Sequence, residues 1–173
     1  MQMFVLDNNC YRSARALADT HIRVIGREIT MLLSSWYYYN GKGDKNLLPY
    51  KPMKNQPLVK QFDNPYTRRW ALANAYFIFK EFSRRFDKTH ASEEKYWKLR
   101  DYMNNYDEET VFISDTDKKA RFTFVEKGKG IKEDLNIEKA IEFYRKYYIE
   151  KLNTMKVKTT YTNINCPNWA IGD

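Results

Sequence analysis

A helical stripe constrains this chain most. From Asp19 to about Tyr39, Ile22, Ile25, Ile29, Leu32 and Trp36 recur at three- and four-residue spacing. That spacing lines one side of an α-helix and needs a partner surface to bury it. A second stripe, Leu72, Ala75, Tyr76, Phe79, Phe82 and Phe86, follows Asn64-Pro65, a cap with proline at the first helical position. Ser92 opens a helix through Tyr96, Leu99 and Met103, and Asn136 opens one with Ile137, Ile141, Tyr144 and Tyr148. Met3-Phe4-Val5-Leu6 reads as a short strand, after which Asp7 and Asn8 cap a helix starting near Asn9. Thr110 to Ile113 and Arg121 to Val125 flank Asp115-Thr116-Asp117-Lys118, a pattern that predicts a β-hairpin.

The prediction is a mostly α, single compact domain over residues 1–173, with a short N-terminal strand and a small β-hairpin. A chain of 173 residues is long enough for one well-buried core. No apolar run approaches the roughly 18 residues of a membrane-spanning helix. Asp7 interrupts the stretch where a secretion signal needs apolar residues, so none is expected. Cys10 and Cys166 lie near opposite ends with no CxxC between them, which points to a reduced, cytosolic protein and away from structural zinc. Walker, GxGxxG, nucleophile-elbow and HExxH patterns are absent, so no metal and no cofactor is expected.

The formal net charge is +8. Residues 40–69 hold seven cations (Lys42, Lys45, Lys51, Lys54, Lys60, Arg68, Arg69) against two anions, Asp44 and Asp63. Concentrated positive charge favours phosphate-bearing partners, although a lysine-rich solvated surface reads the same way. The long connection 40–63, with Pro49, Pro52 and Pro57, is predicted as a functional basic loop. Tyr50 and Tyr66 flank it and could stack on bases. The tail 156–173 is predicted to pack on the body through Trp169.

His21 and Glu28 are seven residues apart, so on one straight helix they share a face about 10 Å apart. That arrangement suits two groups lining a groove, where shifted pKa values mark candidate site residues. The alternative is a core-edge histidine and a solvated glutamate. Gly26 inside the helix marks either a close helix crossing or a ligand against bare backbone beside Arg27. Glu81 and Arg85 form an i,i+4 pair, and Arg85 with Lys88 could clasp phosphate or simply be a basic helix end.

Leu17-Ala18-Asp19, His21 and Arg27-Glu28 resemble the L-A-D-x-H-x5-R-E segment of the pyrimidine-dimer DNA glycosylases, small basic helical enzymes. The resemblance implies Glu28 as the catalytic acid, with Arg27 and His21 assisting at the DNA. MFVLDNN, YKPMKNQP, EFSRRFDKTH and YRKYY, in that order, resemble a broader group of uncharacterised phage and large-virus proteins. That resemblance implies the cytoplasm of an infected host cell. The glycosylases use an N-terminal threonine amine, whereas this chain begins Met1-Gln2-Met3, so a Schiff-base lyase step is not expected.

The function expected is therefore work on an N-glycosidic bond in DNA or a nucleotide. Glu28 would activate water, with Arg27, His21 and Asp7 around it. Lys51, Lys54, Arg68, Arg69, Arg85 and Lys88 would hold the backbone, and Asp19, Asn55, Glu81 and His90 complete the expected ligand-binding set. The alternatives are a non-catalytic accessory protein that binds nucleic acid or a nucleotide to counter a host defence, and a protein that binds a host protein through its tyrosine-rich surface.

Overall fold

The computed structural model describes residues 2–111 and 116–171. In chain order the helices and strands are α1 (Cys10–Arg15), α2 (Asp19–Ile22), α3 (Ile25–Asn40), α4 (Pro65–Phe86), α5 (Glu93–Tyr106), α6 (Glu108–Val111), α7 (Thr116–Lys119), β1 (Phe122–Glu126), β2 (Gly130–Leu135) and α8 (Ile137–Thr154). The fold is mostly α, with one small antiparallel two-stranded sheet.

The two stripes read from the sequence meet. Ile25, Ile29, Leu32 and Leu33 of α3 are buried with Ala71, Ala75, Ile78 and Phe79 of α4. Gly26 is where they come closest, because a Cβ there would lie 3.1 Å from both Ile78 and Phe79 side-chain atoms. Its missing side chain thus serves a helix crossing. Asn64 caps α4 by accepting from Thr67 N, and Pro65 follows in the first turn. Asp87, in the left-handed region, closes the helix with its N–H on Ser83 O. Asn136 caps α8 through Lys139 N, and α8 buries Ile137, Tyr144 and Tyr148.

Two predicted strands need correction. Met3, Phe4, Val5 and Leu6 are fully buried, but they belong to no strand of the described residues. Phe4 has φ 50°, which breaks an extended run. Side chains satisfy the backbone instead: Leu6 N donates to Ser13 Oγ at 3.1 Å, and Arg145 Nε donates to Leu6 O at 2.8 Å. The hairpin is real but displaced. β1 matches the predicted strand 121–125 to within a residue, yet its partner is β2, while Thr110 and Val111 are helical. The turn is Lys127-Gly128-Lys129, because Gly128 and Gly130 supply φ values of 82° and 102° that other residues adopt only with strain. Phe112 to Asp115 lie outside the described residues.

The basic connection is not a bare loop. Lys45–Leu47 and Pro57–Asp63 form 3-10 turns, and Leu58 and Phe62 are buried in the core. The described part of the tail packs on the body, where Trp169 stacks against the Arg145 guanidinium at 4.8 Å and lies 6.2 Å from Tyr148. Cys10 and Cys166 are not joined: Cys10 Sγ donates to Trp70 O at 3.6 Å. Among the described residues no helix is long and apolar enough to cross a membrane.

Candidate functional site

The helix carrying the resemblance is broken. α2 ends at Ile22, Val24 sits at φ −126°, ψ −34°, and α3 starts at Ile25. His90 Nε2 takes the carbonyl of Arg23 at 2.8 Å, an acceptor that a continuous helix would have used itself. His21 and Glu28 therefore lie on separate helices and do not share one continuous face. His21 is buried against Phe4, with ring centroids 5.3 Å apart, and its Nδ1 meets Tyr148 Oη at 2.9 Å. Burial, with Lys151 nearby, lowers its pKa to about 4. It is a neutral core-edge histidine and supplies no charge to a ligand.

Glu28 stands apart from that core. It is half-buried in the first turn of α3, with Arg27 exposed beside it. The Gln2 amide N–H donates to Glu28 Oε2 at 3.4 Å. The Gln2 side chain turns the other way and donates through Nε2 to Val125 O of β1. Its Oε1 is buried with no partner among the described residues. Residue 2 thus ties the Glu28 carboxylate to the end of β1. Asp7 lies elsewhere: it accepts from Asn9 N and Arg12 Nε, both at 3.0 Å, with Arg145 at 3.6 Å. No hydrogen bond joins it to Glu28 among the described residues, so the two are not shown as one pair.

Several expected phosphate-binding residues are structural. Arg68 is 1% exposed. It donates to Asp107 at 2.9 Å, Glu109 at 2.7 Å and Phe62 O at 2.7 Å, and it lies over Trp36 at 4.1 Å. Arg85 is equally enclosed, donating to Glu81 at 2.8 Å, Asp19 at 3.1 Å, Leu17 O at 2.7 Å and Arg15 O at 2.9 Å. A guanidinium saturated by internal acceptors has no fork left for phosphate. Asp19 and Glu81, expected as ligand-binding, are its buried counter-ions. Burial opposes their ionisation, but Thr162 and Arg85 at Asp19, and Arg84 and Arg85 at Glu81, hold both carboxyls below their ordinary range. His90 is structural as well, since its Nδ1 accepts from Ser92 N at 3.0 Å while Nε2 holds Arg23 O. Lys51, Lys54, Asn55 and Lys88 remain exposed, and Arg69 is half-buried.

The sequence pattern did not show the surface around Trp36. Its indole N–H donates to Asp63 Oδ1 at 2.9 Å. On one side a cleft of about 480 Å³ is lined by Asp63, Asp107, Glu108 and Glu109 against only Lys42 and Arg68. That excess of carboxylate repels phosphate. On the other side a groove of about 490 Å³ runs past Tyr39, Met53, Asn55 and Lys60, and Lys51 and Lys54, nearby in the chain, are exposed. The stripe placed Trp36 among the packing residues of its helix. The exposure of Trp36 on the groove side depends on how residues 53–63 fold back, to which periodicity is blind. No group of three His, Cys, Asp or Glu side chains suited to a metal ion occurs among the described residues.

No family model matches the chain, and no curated protein or solved structure is significantly similar to it.

Proposed function

We propose that this protein works on an N-glycosidic bond in DNA or a nucleotide, with Glu28 as general base. The supporting observation is the position of that carboxylate, half-buried beside the Gln2 amide, with an exposed guanidinium on the adjoining residue. A partly shielded carboxylate can take a proton from water while keeping access to substrate. The water oxygen then bonds to C1′, the C1′–N bond breaks, and its electron pair leaves with the base, which takes up a proton. Arg27 faces a phosphate flanking the reacting sugar, and the target base turns out of the stack to expose C1′. The resemblance of the LAD…RE segment to the pyrimidine-dimer glycosylases supports the same assignment. His21 has no place in the chemistry. It packs α2 against Phe4 and Tyr148.

Incubation with DNA carrying a panel of modified bases, followed by mass spectrometry for free base, tests this. Base release is expected, and Glu28→Gln should lower it by about a hundredfold or more, the usual range for a general base, with the thermal midpoint unchanged. DNA recovered intact from the wild-type protein, with every base of the panel, contradicts the reading.

A further inference from the structure

We infer that a smaller cleft beside the Trp36 groove, at the start of α4, binds an unpaired nucleobase that carries an amino group. The inference rests on the reading above that the protein acts on nucleic acid or nucleotides, and it names where a base is held. The cleft measures about 250 Å³ and lies between the Pro57–Asp63 turn and the hairpin, just below the usual range for pockets that enclose a drug-sized ligand and so suited to one base. It shares Lys60, Asp63 and Glu133 with the groove, so the two form one continuous depression.

Gln61 carries the argument. It is 7% exposed and lines the cleft. Its Oε1 accepts from Thr123 N at 3.1 Å, which fixes the amide orientation, because only the carbonyl end can accept. Nε2 is then a buried donor, and it has no partner among the described residues. An unpaired buried donor is costly in a folded protein, and an acceptor that reached it from the cleft would relieve that cost.

The other lining groups define that acceptor's owner. Asp63, Glu133 and Asp134 outnumber Lys60 and Arg121, so a phosphate inside the cleft is disfavoured. The α4 N-terminus offers no free anion site either, since Pro65 has no N–H and Asn64 already caps Thr67 N. A ligand that satisfies Gln61 and the carboxylates together presents an acceptor and N–H donors on one planar edge. Guanine, cytosine and adenine set an acceptor beside an exocyclic amino group with two N–H donors, whereas thymine offers only its single ring N–H between two carbonyls. Lys60 contacts Glu133 only at 3.6 Å, loose enough for it to turn to a phosphate at the rim, whereas Arg121 is held by the carbonyls of Lys118 and Ala120 at 3.2 Å and 3.0 Å. Trp36 and Tyr39 in the adjoining groove offer ring faces to a neighbouring base. Thr123, at the cleft, and Val125, which holds Gln2 beside Glu28, are two residues apart on β1, about 7 Å.

The test is equilibrium binding of GMP, CMP, AMP and TMP, and of labelled single-stranded and duplex oligonucleotides, to wild-type protein, Gln61→Glu, and the double variant Glu133→Gln with Asp134→Asn. Gln61→Glu keeps the acceptor for Thr123 N but turns the free donor into an acceptor. It should weaken binding of amino-bearing bases about tenfold or more, the cost of leaving a buried polar group mispaired. The double variant changes only exposed residues, so it stays folded even if Gln61→Glu does not. It should narrow the preference over TMP. Mononucleotides binding as tightly as oligonucleotides would identify free nucleotide as the source, and binding of oligonucleotides alone would identify a strand; both support the site. Binding indifferent to base, or unchanged in the double variant, overturns it. Base-selective binding by a protein that releases no base would leave this site standing and remove the catalytic reading.

Discussion

Arg85→Met is expected to lower the unfolding free energy by about 3 kcal/mol or more, the range for removing one partner of a buried ion pair. The Arg85 guanidinium is the only cation whose side chain contacts both Asp19 and Glu81 in the salt bridges of the described residues, and all three side chains are buried. It also takes the carbonyls of Leu17 and Arg15, the last turns before α2. Without it Asp19 keeps its bonds from Thr162 N and Oγ1, and Glu81 keeps Arg84 at 2.6 Å. Both nevertheless remain as buried carboxylates with less compensation. Adding Glu81→Gln to Arg85→Met should therefore recover part of the loss, because it removes a charge that no longer has a buried partner. Urea unfolding at pH 7 measures both. A loss below about 1 kcal/mol, in the range of an exposed pair, would show that the network is weak.

Acid should destabilise the fold through His21 well before the carboxylates titrate. The folded pKa of His21 is lowered to about 4 from 6.5, by burial first and by Lys151 second. The unfolded chain therefore binds a proton that the folded chain refuses, and stability falls as pH drops from about 6.5 towards 4. Between pH 7 and pH 5 this one group accounts for about 2 kcal/mol. Asp19 and Glu81 have lowered pKa values, so their contribution is lost only below their ordinary range near pH 4, outside that window. Stability measured at half-unit steps from pH 7 to pH 5 should show the slope, and His21→Gln should flatten it. An unchanged slope in the variant would mean that His21 is protonated in the folded protein.

The long elements were legible because burial enforces periodicity. The Leu72 to Phe86 stripe and the Asn64-Pro65 and Asn136 caps predicted α4 and α8 from local chemistry alone. What failed depended on tertiary partners. At the break before α3 the Arg23 carbonyl meets His90, 67 residues away, and nothing in the helical stripe signals it. Arg68 and Arg85 look like phosphate-binding cations in sequence. Their carboxylate partners Asp107 and Asp19 lie 39 and 66 residues distant, so the sequence alone could not show that these charges are already neutralised. The displaced hairpin is different in kind: Gly128 and Gly130 were visible, and turn chemistry at those glycines was the signal to weigh over Asp115 to Lys118. Of the site, Glu28 and Arg27 were marked by the spacing to His21, by Gly26 beside them and by a short resemblance. Gln61 carried no signal, because an orphaned donor exists only in three dimensions.

The location of bound nucleic acid tests the central claim most directly. A single-stranded oligonucleotide carrying photoreactive bases is crosslinked to the protein, and the labelled peptides are mapped by mass spectrometry. The expected crosslinks fall on residues 27–39 and 53–63, around Glu28, Tyr39 and Gln61. Crosslinks confined to α5 or to α8, with none on those two segments, would place the nucleic acid on another face and contradict the account.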